Sequence, residues 1–287
     1  MRTHGPTGWS IRARRTTAGL TLFAVVGLLL LSAHVLAQQP QLKVMTYNIR
    51  YQAMDKTPGK DGKLHPWDGR KQMVLAVVQQ QDPDIVGFQE CQQPQRTYLA
   101  ESLKEYGSRG TVFWKRSEFE LLGSGGMSQW RAPRDPTGVA PKQFEWVRLR
   151  WQGIDRELFL FNTHFRPALK EPIRVQLCKN VGDYINQVAG TDAIAMLVGD
   201  LNIHDSDSKG IRIIRDTAGM SDPWTDTGTP QRYTWNYWFN PTWSGDTVDW
   251  ILYRRPLKGQ SVMRPDYNVD GEYPSDHTPV FSVLGVE

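Results

Sequence analysis

Six apolar segments of this chain end on, or contain, residues able to do acid–base or ligand chemistry. Asn48 closes Leu-Lys-Val-Met-Thr-Tyr-Asn, Glu90 closes Asp-Ile-Val-Gly-Phe-Gln-Glu, and His164 closes Leu-Phe-Leu-Phe-Asn-Thr-His. Asp200 and Asn202 end Ala-Met-Leu-Val-Gly-Asp-Leu-Asn, Asp249 lies within Thr-Val-Asp-Trp-Ile-Leu, and Ser275-Asp276-His277 precedes the last apolar run. One Asp or Asn in such a place is ordinary turn or cap chemistry, because its short side chain bonds nearby backbone. Six segments together are harder to dismiss: if the runs are neighbouring strands, their ends converge on one rim. Oxygen donors without thiolates suit Mg²⁺ or Mn²⁺, and His164 and His277 supply imidazoles that titrate near neutral pH. A cation that neutralises charge developing on phosphorus, beside a base that positions water, would hydrolyse a phosphate ester.

The elements that must carry these residues are short. Apolar runs at Leu42–Tyr47, Asp84–Phe88, Thr111–Trp114, Glu145–Leu149, Leu158–Phe161, Ala193–Val198, Thr247–Tyr253 and Pro279–Leu284 have the length and β-branched or aromatic content of buried strands. Between them, Arg70, Met73, Val74, Val77 and Val78 share one helical face, as do Ile173, Leu177, Val181, Tyr184, Ile185 and Val188. Helices among strands predict a layered α/β domain. Residues 123–142 and 221–245 read as long surface loops, which in a compact domain are often functional.

The amino terminus stands apart. Arg12, Arg14 and Arg15 precede an apolar run from Ala18 to about Ala33, and Val35-Leu36-Ala37 offers a cleavage site, the layout of a secretory signal peptide over 1–37. Without cleavage the same run would be a membrane anchor, although it is shorter than a full span. The catalytic domain is then 38–287, exported to the periplasm or beyond. Four arginines and no acid fall in 1–37, so the 34 basic and 30 acidic residues become 30 and 30. The basic pI belongs to the leader, and no charge signature for nucleic acid remains. Cys91 and Cys178 imply no disulfide framework. One bridge between them is open in an oxidising compartment, with two buried thiols as the other reading. The domain is read as a monomer.

Taken in order, Tyr-Asn, Gln-Glu, Asn-Thr-His, Gly-Asp-Leu-Asn, Val-Asp-Trp and Ser-Asp-His resemble the endonuclease/exonuclease/phosphatase superfamily, also called DNase I-like. The resemblance runs from about Leu42 to the carboxyl terminus, and Trp67, Arg70 and Tyr273-Pro274 resemble its bacterial exported members. It implies a four-layer sandwich, two packed mixed β-sheets flanked by helices. It also implies Glu90 as principal ligand for Mg²⁺ or Mn²⁺, with Asn48 beside it and Asp276 direct or through water. Asp200 would orient or deprotonate water and Asn202 would hold a phosphate oxygen. His277 would contact the phosphoryl group, oriented by Asp249, and His164 would be the second imidazole. The substrate would be a phosphoester: a small molecule, nucleic acid or lipid headgroup.

Two departures stand out. Related members carry a longer glycine-rich stretch ending in Gly-Glu, whose acid pairs with the histidine equivalent to His164; here Tyr106-Gly107-Ser108-Arg109-Gly110 is short and Ser108 replaces the acid. Arg109 nearby would lower the His164 pKa. Arg166 stands where an Asp is common. Arg109 and Arg166 are either a phosphate-binding pair or two solvated loop residues. Trp224, Trp235, Trp238 and Trp243, with Tyr233 and Tyr237, crowd residues 224–243. They either stack on a ligand, in the extreme as a non-catalytic carbohydrate-binding module, or pin a long loop to the sheet. His65 and His204 are expected at the surface.

Overall fold

The computed structural model describes residues 1, 2, 5, 40–126, 139–204, 209–239 and 247–287. Its compact unit for the site is Pro40–Glu287; the apolar run and the cleavage site at Ala37 of the expected leader 1–37, and Trp243, lie outside the described residues. No helix among the described residues is long and apolar enough to cross a membrane.

Among the described residues, eleven strands form two sheets. In chain order they are β1 (Gln41–Asn48), β2 (Ile85–Gln89), β3 (Tyr106–Arg109), β4 (Val112–Lys115), β5 (Phe119–Gly126), β6 (Gln143–Trp151), β7 (Arg156–His164), β8 (Ile194–Asp200), β9 (Asp249–Tyr253), β10 (Leu257–Met263) and β11 (Val280–Val286). The first sheet has the order β10-β11-β1-β2-β4-β3 and the second β5-β6-β7-β8-β9. Both are mixed: β1–β2 and β7–β8 are parallel within otherwise antiparallel ladders. Three strands were not expected: β3, β5 and β10, each at the edge of its sheet. An edge strand has little to bury, so Tyr-Gly-Ser-Arg, a run ending Gly-Ser-Gly-Gly and the alternating Leu-Lys-Gly-Gln-Ser-Val-Met lack the apolar continuity that marks a central strand. Strand β5 occupies the start of the expected loop 123–142, whose residues 127–138 lie outside the described ones.

Helices α1 (Trp67–Gln81) and α2 (Gln93–Ser102) cover the outer face of the first sheet, burying Val74, Val77, Val78 and Leu99 against Met45, Tyr47, Val86 and Phe88. Helices α3 (Glu171–Ala189) and α4 (Lys209–Ala218) pack on the second sheet through Leu177, Val181, Ile185, Ile211 and Ile214. A short helix α5 (Pro223–Thr227) interrupts the expected loop 221–245. The result is a four-layer α/β sandwich. Strand alternation makes it possible: Met45 and Tyr47 face α1, while Val44, Thr46 and Asn48 face the other sheet. Gly87 lets the sheets approach, since a Cβ there would lie 2.6 Å from Val198 Cγ2.

The inter-sheet core is not wholly apolar. Gln89 Nε2 donates to Asn162 Oδ1 (2.7 Å) and Thr46 Oγ1 (3.0 Å), and Asn162 Nδ2 donates to Phe88 O and Thr111 Oγ1, both at 2.8 Å. Gln89 precedes Glu90, and Asn162 lies two residues before His164 on the same strand face. A buried, satisfied network therefore fixes the two sheets' register just beneath the functional rim.

Candidate active site

Register brings the expected residues together. His164 pairs with Asp200 across the parallel β7–β8 ladder, and Asp200 pairs with Asp249 across the antiparallel β8–β9 ladder, so three polar groups stand side by side in one row. On the facing sheet Asn48 pairs with Gln89, the residue before Glu90. Asn48 Nδ2 reaches between sheets to Asp200 Oδ2 at 3.0 Å. The loop before β11 is stapled to the same rim: Ser275 Oγ donates to the Asn48 carbonyl at 2.7 Å, placing Asp276 and His277 over it.

His277 Nδ1 lies 2.9 Å from Asp249 Oδ2, and its Nε2 is 3.9 Å from Asp200 Oδ2. Burial alone would lower the pKa of this imidazole, but the Asp249 charge and hydrogen bond, with Asp200 and Asp276, raise it to about 10. Burial and the Asp249 charge raise the Asp200 carboxyl to about 7, against the opposing pull of His277 and hydrogen bonds from Asn202 N–H and Asn48. Among the described residues the site thus pairs an imidazolium with a carboxylate poised to hold a proton. His164 Nε2 is 3.4 Å from Asp200 Oδ2 and 3.9 Å from Glu90 Oε1, while its buried Nδ1 has no partner among the described residues. Burial, then Lys142 and His277, depress its pKa to about 3, so it is neutral. Arg109, expected to have that effect, is not among the causes. Ser108 is exposed on the edge strand β3, and among the described residues no acid takes the missing partner's place on Nδ1.

A cavity of about 220 Å³ is lined by Arg50, Glu90, Lys142, His164, Asp200, Asn202, Trp235, Asp276 and His277, together with Tyr51, Met54 and Pro167. Asp249 lies behind it, 0% exposed. Arg50, Glu90 and Asn202 hold left-handed backbone at φ 54°, 57° and 47°, conformations costly for non-glycine residues and typical of turns that serve a site. Two lining cations had not been anticipated. Arg50 Nη1 is 2.8 Å from Asp276 Oδ2, and Lys142 Nζ is 3.5 Å from Glu90 Oε1. Their only sequence signal is adjacency to Asn48 and to the start of β6.

The two expected substrate-binding arginines lie elsewhere. Arg109 lines a neighbouring cleft, donating to Ser124 Oγ at 3.2 Å, because β3 is an edge strand separated from β2 by β4. Arg166 is exposed and lines neither cavity. Trp224 and Trp238 are each 3% exposed and pin the segment down; Trp238 stacks on His65 with centroids 3.8 Å apart, so His65 is buried rather than at the surface. Among the described residues of the cluster, Trp235 alone lines the site cavity, 6.1 Å from the His277 ring.

The donors fit a hard divalent cation. Burial and then the nearby Asp276 charge raise the Glu90 carboxyl, more than Lys142 and His277 offset, and a bound cation would relieve both. Glu90 and Asp276 face the cavity as oxygen donors, and Asn48 adjoins them through the Arg50 N–H that its Oδ1 accepts at 3.0 Å. Asp200, Asp249 and His277 also offer ligand atoms all within 4.8 Å of one another. There, however, His277 Nδ1 is engaged by Asp249, so that trio is better suited to proton handling.

A family model for the endonuclease/exonuclease/phosphatase family matches residues 45–277, most of the chain and every residue of this row. The chain belongs to the endonuclease/exonuclease/phosphatase family. The members that give this family its name cleave phosphoester bonds. Solved family structures share the fold. An endonuclease/exonuclease/phosphatase from Bacteroides vulgatus is 22% identical with a TM-score of 0.73, covering 87% of this chain and 100% of that one. A mannosyl-6-phosphatase from Bacteroides thetaiotaomicron is 21% identical, TM-score 0.68, over 85% and 99%. TDP2 from D. rerio, solved with a single strand DNA product, is 20% identical, TM-score 0.66, over 86% and 99%. No curated protein matches the sequence.

Proposed function

We propose that the chain is a divalent-metal-dependent hydrolase of phosphate esters, with water attacking phosphorus in line. The observation that carries this reading is the row His164–Asp200–Asp249 with His277 held 2.9 Å from Asp249. Asp200 orients the water and takes its proton. His277, charged and oriented by Asp249, faces the phosphoryl oxygens and returns a proton as the reaction proceeds. The second N–H of the Asn202 amide, whose Nδ2 already donates to Phe165 O at 3.1 Å, is left for a phosphate oxygen. Neutral His164 serves as a hydrogen-bonding imidazole at the same phosphate. Glu90, Asp276 and Asn48 would hold Mg²⁺ or Mn²⁺, which when bound supplies Lewis-acid neutralisation of the developing charge. Arg50 and Lys142 add fixed positive charge on the cavity wall.

The mature charge balance of 30 and 30 favours a phosphodiesterase of modest-sized substrates over a non-specific duplex nuclease. The amino-terminal basic and apolar segment supports export, which fractionation of tagged full-length protein would check. The test of function is turnover by residues 38–287 of a monoester, a diester, plasmid DNA and phospholipid, with Mg²⁺ or Mn²⁺. Activity that vanishes with chelator and with Asp200→Ala is expected; no hydrolysis of any of the four with either metal overturns the reading.

A further inference from the structure

A second cleft adjoins the catalytic cavity and shares Tyr51 and Lys142 with it. It is the larger of the two, about 680 Å³ against about 220 Å³. Much of its lining is nearly bare backbone: Gly110, Ser124, Gly125 and Gly126. Gly110 cannot readily be otherwise, since its φ is +59° and a Cβ there would lie 2.3 Å from Glu145 Oε2. The Glu145 carboxylate packs directly against this glycine, which fixes the backbone of the wall.

The charge of the cleft is one-sided. Arg96 from α2, Arg109 from β3 and Lys142 beside β6 line it, against one carboxylate among the described residues, Glu145. That acid is committed to the fold, accepting from Thr111 N–H at 2.7 Å and Thr111 O–H at 2.8 Å. Arg109 uses one donor on Ser124 Oγ, and Arg96 contacts Gln93 Oε1 and, at 3.5 Å, Cys91 O; each guanidinium keeps further N–H groups. Among the described residues neither arginine forms an ion pair with a carboxylate, whereas Arg50, Arg148, Arg150, Arg215, Arg255 and Arg264 do. Lys142 stands at the junction, 3.5 Å from Glu90 Oε1 and with Nζ 4.4 Å from the Tyr51 ring centroid.

We infer that this cleft is a subsite for a second anionic group of the substrate, best matched by a phosphate, reached past Tyr51 and Lys142 while the first phosphate sits in the catalytic cavity. Guanidinium forks from two elements on a backbone-lined wall match phosphate oxygens in geometry and charge. The inference rests on the proposed hydrolase reading and narrows it: the preferred substrate carries a phosphate beyond the scissile one.

The experiment compares the 4-nitrophenyl ester of thymidine 5′-phosphate with the same ester bearing a 3′-phosphate. The two differ only in the remote anion. The 3′-phosphate should raise kcat/KM by about tenfold, mainly through KM, and Arg96→Ala/Arg109→Ala should bring the ratio close to one, as should Arg109→Gln in part. Lys179→Ala, which removes a remote charge on α3, should keep the wild-type ratio. In parallel, calorimetry with inorganic tripolyphosphate in chelator, where no turnover occurs, should show affinity weakened about tenfold in the double variant. A wild-type ratio near one, or a double variant that keeps both the wild-type ratio and tripolyphosphate affinity, overturns the subsite. Failure of the wild type to cleave either ester counts against the hydrolase reading alone, and the calorimetry then decides the subsite.

Discussion

Replacing Asp249 by Asn keeps the shape of the buried pair and removes its charge. The His277 pKa of about 10 against an ordinary 6.5 corresponds to preference for the imidazolium on the order of 5 kcal/mol, with burial working against it and Asp249 the strongest of the groups that raise it. Asp200 and Asp276 also contribute, so Asp249→Asn should lower the His277 pKa by about two pH units rather than all the way. The sign for stability follows from linkage. A histidine whose folded pKa is raised stabilises the fold fully below about 6.5, and that contribution is lost as pH rises through about 10. In the variant this alkaline loss should shrink by about 2 to 3 kcal/mol, and kcat should fall about a hundredfold or more because the imidazole loses orientation and charge. The assay is an NMR titration of the His277 ring in chelated protein, paired with urea unfolding at pH 7 and pH 9.5. A wild-type His277 titrating near 6.5, or a variant that still titrates near 10, would refute the argument.

Three further outcomes are expected. Arg70 is 2% exposed and donates to the carbonyls of His65, Ile49, Pro274 and Arg50, tying together the loops that carry Arg50 and Asp276; Arg70→Met should cost about 3 kcal/mol in urea unfolding, and a cost under about 1 kcal/mol would deny that role. Gly87→Ala pushes a Cβ to 2.6 Å from Val198 and 3.0 Å from Asn162, so thermal unfolding should report a loss of about 1 to 3 kcal/mol. Glu90→Gln should weaken Mg²⁺ activation at least about tenfold, read as the metal concentration for half-maximal turnover, with metal-free unfolding little changed; an unaltered metal requirement would remove Glu90 from the ligand set.

Much of this site was legible in the residues alone, because a central strand advertises itself. Buried runs such as Leu158–Phe161 and Ala193–Val198 must be apolar, so the polar residues that end them, His164 and Asp200, stand out against their own strand. Period-two alternation then decides that Asn48, Asn162 and His164 face inward at the sheet junction. Edge strands carry no such contrast, which hid β3, β5 and β10 and with them the true position of Arg109. Distances between sheets are set by tertiary packing alone. That Asn48 donates to Asp200, that Arg50 neutralises Asp276 and that Lys142 approaches Glu90 depend on where two sheets stop relative to each other, a separation that Gly87 and the Gln89–Asn162 bond adjust. The residues alone marked out the candidate groups for chemistry. The tertiary structure decided which of them touch, which imidazole is charged, and that the cationic cleft lies beside the site instead of within it, because those depend on burial and on through-space charge that no local pattern encodes.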